Sequence, residues 1–450
     1  MSLKLRLASR ITLDSDILQV LRTSLPLVIV ELVSSLYSIA DTYFVKNLGE
    51  NAIAALGISG YIFWLVQAFF ALFHTPLSIA VAQSVGAKEL AKARSILGFI
   101  LLLGCTLTAT SSAILAYRAP WIIVVQSNAK GLTFNYAVEY LRIRFCGLVI
   151  AFAAMSLDVA VVSAGKTVYS MISNTVGLAL NMFLDPLIIY GLYGFPKFEV
   201  AGAAIATVIS QTISLLLNSY FILKIGLIPT IEVKQQLSTI RMLNLGFFSF
   251  LERLLFSLGN NVYAGIISRL GDLAMAAHSI GLRIESLIYM PGIAFLTTAS
   301  VLVGQKIGAR SIEEAKNIGL KVIKLGSTIM ALLGLSVALC SYKLTSVFAP
   351  NIEVQRLASI YLIIAGLNEF GLGLTMITGG AIRGAGNVIA PFAINLGCLF
   401  LVRVTLSFLL APMLGVIGPW TAMFVDVYLR GFILYYMYTT RFNKLVKRIV

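Results

Sequence analysis

The chain has 450 residues, of which 59% are hydrophobic and only 12% charged, and its formal net charge is +15 at pH 7. Apolar runs of about 20 residues recur along its length, each able to cross a ~30 Å hydrocarbon layer as a helix, so a soluble domain is excluded. The runs are continuous rather than alternating, which excludes a β-barrel. The basic residues are spread over short loops rather than forming one patch, which argues for membrane orientation and against nucleic acid.

In chain order, the polar arm from Met1 to Asp16 lacks the small-residue cleavage pattern of a signal peptide, so the first span is expected to be retained. Hydropathy predicts twelve spans at about 17–44, 52–82, 93–117, 134–163, 167–192, 199–225, 242–268, 273–304, 316–344, 355–382, 387–412 and 415–439. Lys4, Arg6 and Arg10 precede span one, and Lys88, Lys92 and Arg94 follow span two. Lys224, Lys234 and Arg241 join spans six and seven, Lys306, Arg310 and Lys316 follow span eight, and Arg441, Lys444, Lys447 and Arg448 end the chain. All of these fall on one face, while the loops of the other face are poorer in bases. The positive-inside rule then predicts a multi-pass protein of the plasma membrane with both termini cytoplasmic.

Polar residues inside the spans are few. Span one carries Pro26, Tyr37 and Asp41, span four Asp158, and span five Asn174, Asn181 and Asp185. Thr207 lies in span six, Glu252 in span seven, Glu285 in span eight, Glu369 in span ten, and Asp426 with Arg430 in span twelve. Intramembrane acids are costly and mark ion or substrate pathways. Asp426 and Arg430 stand four residues apart, the spacing of a structural ion pair. His74 and His278 stand alone, and read as bonded helix residues. Cys105, Cys146, Cys340 and Cys398 lie singly in apolar runs and read as small hydrophobes.

The chain repeats itself. Leu48-Gly49-Glu50 returns as Leu270-Gly271-Asp272, and Gln83-x-x-Gly86-Ala87-Lys88 returns as Gln305-x-x-Gly308-Ala309-Arg310, both at an offset of 222 residues. Gly165 returns as Gly386 at 221. Two halves of six spans each have the same orientation. The expected fold is an all-α integral membrane protein: twelve transmembrane helices in two six-helix bundles related by a pseudo-two-fold axis along the membrane normal. The lobes are expected at 1–228 and 242–450, with a cytoplasmic linker at 229–241.

The chain resembles the multidrug and toxic compound extrusion (MATE) family. The resemblance rests on Pro26, Ser38-Ile-Ala-Asp41-Thr42, Gln83-x-x-Gly86-Ala87, Ala164-Gly165-Lys166-Thr167, Asn181-x-x-x-Asp185-Pro186, Ala201-Gly202-Ala203-Ala204 and Gly304-Gln305-x-x-Gly308-Ala309. It covers essentially the whole chain and looks closest to the archaeal and DinF-like branch, since the acidic pair lies in the first half. It implies export of amphiphilic, often cationic, compounds against an inward H⁺ or Na⁺ gradient. It also implies that the helix bent at Pro26 moves.

Asp41, Asn181, Asp185 and Thr207 all fall near the outer ends of their helices, so three spans bring oxygen ligands to one depth. Such groups suit a proton or Na⁺, not a transition metal. The predicted cation site is therefore Asp41, Asn181, Asp185 and Thr207, with Tyr37, Asn174, Asp158 and Glu252 as accessory candidates. Glu252 resembles an acidic residue that NorM-like relatives carry. The second half does not reproduce the site, because Asp41 maps onto Tyr263, Asn181 onto Val402 and Asp185 onto Leu406. No cofactor is expected beyond the coupling ion, and the partners expected of a monomer are amphiphilic drugs and membrane lipid. A lipid-linked precursor flippase of the same superfamily is the alternative. An integral membrane enzyme lacks its motifs here, with no HExxH and no GxSxG.

Overall fold

The computed structural model describes residues 15–231 and 233–449, apart from the side chains of Ser38, Ile39 and residues 233–241. The bases Lys4, Arg6 and Arg10, and the side chains of Lys234 and Arg241, thus lie outside the described residues. Every regular element among the described residues is helical. Twelve passes follow in order. Span one is Ser15–Lys46, span two is Glu50–Ala68 continued by Ala71–Gly86, and span three is Leu90–Gln126. Span four is Gly131–Cys146 with Leu148–Ser163, span five Thr167–Tyr190 and span six Glu199–Lys224. Span seven is Val233–Ser268, span eight Asp272–Gly308, span nine Ile312–Ser346 and span ten Ile352–Gly384. Span eleven runs through Ile389–Cys398, the π-helical Leu399–Val404 and Thr405–Leu414, and span twelve is Ile417–Leu445. Span seven begins at Val233, so most of the expected linker is already helix. Span twelve is the least apolar pass, because Asp426 and Arg430 sit in its middle.

The repeat seen in the sequence is a repeat of geometry. Gly49 and Gly271 open spans two and eight at φ of 97° and 111°, a region that glycine enters without strain. The acids after them, Glu50 and Asp272, lie in the first turn of each helix, where negative charge is favoured. The first bundle packs around Leu97, Ile100, Phe145 and Phe152. The second packs around two clusters, one containing Phe295, Ile377 and Tyr438, the other Tyr361 and Trp420.

The bundles meet through spans one and eight and, symmetrically, two and seven. At the ends of spans two and eight the repeated motifs cross. A Cβ on Gly86 would lie 1.8 Å from the Gln305 carbonyl oxygen, and one on Gly308 would lie 1.9 Å from that of Gln83. The two glutamines act reciprocally: Gln305 Nε2 donates to the Ser163 carbonyl at 3.0 Å, and Gln83 Nε2 to the Gly384 carbonyl at 3.3 Å. Farther out, span one buries Leu27 against Ala294 and Val301 of span eight.

Candidate functional site

Small residues let spans five and six approach closely. A Cβ on Gly177 would lie 2.1 Å from Ser214 Oγ, and one on Gly202 would lie 2.9 Å from the Ile188 backbone. Span one is tied to the outer end of span five, where Tyr190 Oη donates to the Phe44 carbonyl at 2.5 Å and Asn47 Nδ2 donates to Tyr190 Oη at 3.1 Å. These contacts hold three helices around one polar point.

That point is Asn181, which is 2% exposed beside a fully buried Asp185. With the amide assigned the orientation that satisfies both its ends, its nitrogen donates to Asp185 Oδ2 at 2.9 Å, to Asp185 Oδ1 at 3.2 Å and to Tyr37 Oη at 3.0 Å. Its oxygen accepts from the Thr207 backbone N–H at 3.1 Å. Thr207 Oγ1 donates to its own helix at the Ala203 carbonyl, 2.8 Å away. Asp41 is half-buried one turn above Tyr37, and its carboxylate and that of Asp185 repel one another. The structure thus brings Asp41, Asn181, Asp185, Thr207 and Tyr37 together.

The other accessory candidates fall elsewhere. Asn174 Nδ2 donates to Asp158 Oδ1 at 2.9 Å and to the Ser170 carbonyl at 3.0 Å, so Asn174 and Asp158 form a separate interhelical cluster nearer the start of span five. Glu252 lies in the second lobe, where Arg383 Nη2 donates to both its oxygens at 2.7 and 2.9 Å and Asn395 Nδ2 to one at 2.6 Å. Span one stays helical through Pro26.

Arg144 was not singled out by sequence reasoning. Span four bends by 51° at the break before Leu148, which turns Arg144 inward until it is 7% exposed. Its guanidinium carbon lies 4.1 Å from the centre of the Phe63 ring, a contact worth about 2 kcal/mol when desolvated. Nη1 donates to Gln211 Oε1 at 3.5 Å and Nε has no partner. Gln211 stands one turn below Thr207 on the same face of span six. A basic residue about a dozen positions inside an apolar span was the signal available.

The second lobe handles its acids differently. Asp426 Oδ2 accepts from Arg403 Nε and Arg430 Nη2, both at 2.8 Å. Glu285 accepts from Tyr361 Oη. Glu369 is fully buried, neither oxygen has a partner, and Glu285 acts on it electrostatically. Tyr263, at the repeat position of Asp41, donates to the Pro419 carbonyl at 3.0 Å, and Val402, at that of Asn181, lies in the π-helical stretch. His74 pairs with Ser156 Oγ at 3.0 Å.

The MatE family profile matches residues 26–187 and 249–409, one segment in each lobe. The chain is 27% identical over 427 residues to a probable multidrug resistance protein NorM of Thermotoga maritima, spanning 92% of this chain and 90% of the relative. It is 25% identical over 406 residues to an FAD transporter of Shewanella oneidensis, spanning 89% of each. A Vibrio cholerae MATE transporter superposes with a TM-score of 0.88 over 97% of this chain and 98% of its own, at 17% identity.

Proposed function

The chain belongs to the MATE family of secondary multidrug exporters, and from that premise we propose that its coupling cation is taken up in the amino-terminal lobe between Asp41 and Asp185. It is a multi-pass membrane transporter, not an enzyme. The observation that carries the proposal is the Asn181 amide, which bridges the buried Asp185 to Tyr37 and Thr207 from two other helices. Two neighbouring carboxylates cannot both stay ionised cheaply in a dry lobe. Either a proton joins the pair, or Na⁺ enters it. With Na⁺ bound, the Asn181 amide presents its oxygen to the ion, beside the oxygens of Asp41, Asp185, Tyr37 and Thr207, and with a proton bound it presents its nitrogen to Asp185.

Binding then biases the helix arrangement. The empty site leaves net negative charge among apolar helices, so filling it favours a different packing of spans one, five and six. Span one carries that change to the second lobe, because its cytoplasmic half packs Val20 and Leu27 there. The crossing of Gly86 with Gly308 closes the cytoplasmic side in this arrangement, and separation of that crossing would open it. One charge crossing 100 mV supplies about 2.3 kcal/mol, enough for a drug gradient of tens-fold.

We place the lobes at 1–228 and 242–450 with the linker at 229–241, both termini in the cytoplasm of a plasma-membrane monomer, and amphiphilic compounds as cargo. The protein has no nucleic-acid partner and works in contact with membrane lipid. Proteoliposomes with separately imposed H⁺ and Na⁺ gradients test the reading. Export should follow one of the gradients in the parent and lose that dependence in Asp185→Asn. Gradient-driven export at the parental rate in that variant overturns it.

A further inference from the structure

We infer that Arg144 is a built-in counter-ion of the amino-terminal site, fixing its empty charge at minus one so that a single monovalent cation neutralises it. The inference rests on the cation-site reading above. A buried guanidinium is ordinarily paired with a carboxylate, because an uncompensated charge in an apolar lobe is strongly unfavourable. Among the described residues, no carboxylate forms an ion pair with Arg144. It is held by the Phe63 face, by one long contact to Gln211 and by nothing at Nε.

What balances its charge is the acidic pair of the site above it. Gln211 places the guanidinium one turn below Thr207, and therefore below the ring of Asn181, Tyr37 and Asp185. Arg144 acts electrostatically on Asp41 and on Tyr140, which stands one turn before it on span four. The charged and titratable groups around the site are Asp41 and Tyr37 from span one, Tyr140 and Arg144 from span four, and Asp185 from span five. Span two contributes the Phe63 ring, and span six contributes the neutral Thr207 and Gln211. Two carboxylates and one guanidinium sum to minus one with both acids ionised. One proton or one Na⁺ brings the set to zero, and a second cation would meet a neutral site. The repeat position in the second lobe is Ala365, so the device belongs to this lobe alone.

The test counts cations per drug from reversal potentials of the full-length protein in proteoliposomes. The parent and Arg144→Lys should exchange one cation per drug. Arg144→Gln should exchange two, with a higher apparent cation affinity. Gln211→Glu, which pairs Arg144 in place and restores the charge of minus two, should behave as Arg144→Gln does. Phe63→Leu, which loosens the guanidinium without changing any charge, should keep the parental ratio. The same ratio and the same cation affinity in the parent, Arg144→Gln and Gln211→Glu would overturn the inference. Should Arg144→Gln not fold, Gln211→Glu alone decides it. Asp185→Asn separates the two readings: coupling that survives in it refutes the site itself, whereas coupling lost there but unchanged in the charge variants refutes only the role of Arg144.

Discussion

The two lobes share a scaffold, and among the described residues buried acids bonded to arginine are found only in the carboxy-terminal one, beside a Glu285–Glu369 pair that has no arginine. In the carboxy-terminal lobe, Asp426 is bonded to Arg403 and Arg430, and Glu252 to Arg383. In the amino-terminal lobe, Asp185 accepts from an amide, and the buried Arg144 lies against a phenyl ring and a glutamine. A carboxylate already bonded to arginine has no need of a cation. One bonded to neutral donors, beside a second carboxylate, has its charge only partly met. Duplication therefore supplied the frame, and substitutions such as Asp41 against Tyr263 and Asp185 against Leu406 distinguish the lobe proposed here to take up an ion.

Substitutions that interchange the two treatments sharpen this contrast, and the largest effect is expected at the acidic pair of the amino-terminal site. Asp41→Asn or Asp185→Asn should lower gradient-driven export by a factor of ten or more while leaving the melting temperature near that of the parent, measured in proteoliposomes and by thermal unfolding in detergent. Asp426→Asn should do the reverse. It strands two buried guanidinium groups and costs about 3–5 kcal/mol of stability, yet the surviving folded protein should keep its cation-to-drug ratio. Gly308→Val brings a side chain into the Gln83 backbone at the cytoplasmic crossing. It should slow export severalfold and raise labelling of a cysteine placed at Ser163 from the cytoplasmic side. The smallest effect is expected at Glu369. With no partner for either oxygen it is best accommodated as the neutral acid, so Glu369→Gln should change stability by less than about 1 kcal/mol and leave coupling intact. A complete loss of coupling there would move the ion site to the other lobe.

Much of the frame was legible in the sequence, because hydropathy and a duplication offset of 222 residues are one-dimensional signals. Gly86 and Gly308 mark the crossing of the lobes because that approach tolerates no side chain. Asp41, Asn181 and Asp185 were legible because span direction and helical spacing put them at one depth. Asn174 and Asp158 were not separable from that group by spacing alone. Asn174 lies on the same stripe as Asn181, and only the packing of span four shows that it turns to Asp158. Glu252 carried no sign of its partners, since Arg383 and Asn395 lie more than a hundred residues away. Arg144 was hidden by a bend in span four, which decides whether that side chain faces lipid or the lobe interior.

The most direct measurement of the central claim is cation release on drug binding, followed with a pH-sensitive dye and with radioactive sodium on purified protein. The account predicts that the parent releases one proton or one Na⁺ per drug bound, and that Asp41→Asn and Asp185→Asn bind drug without releasing either. Undiminished release from both variants would contradict it.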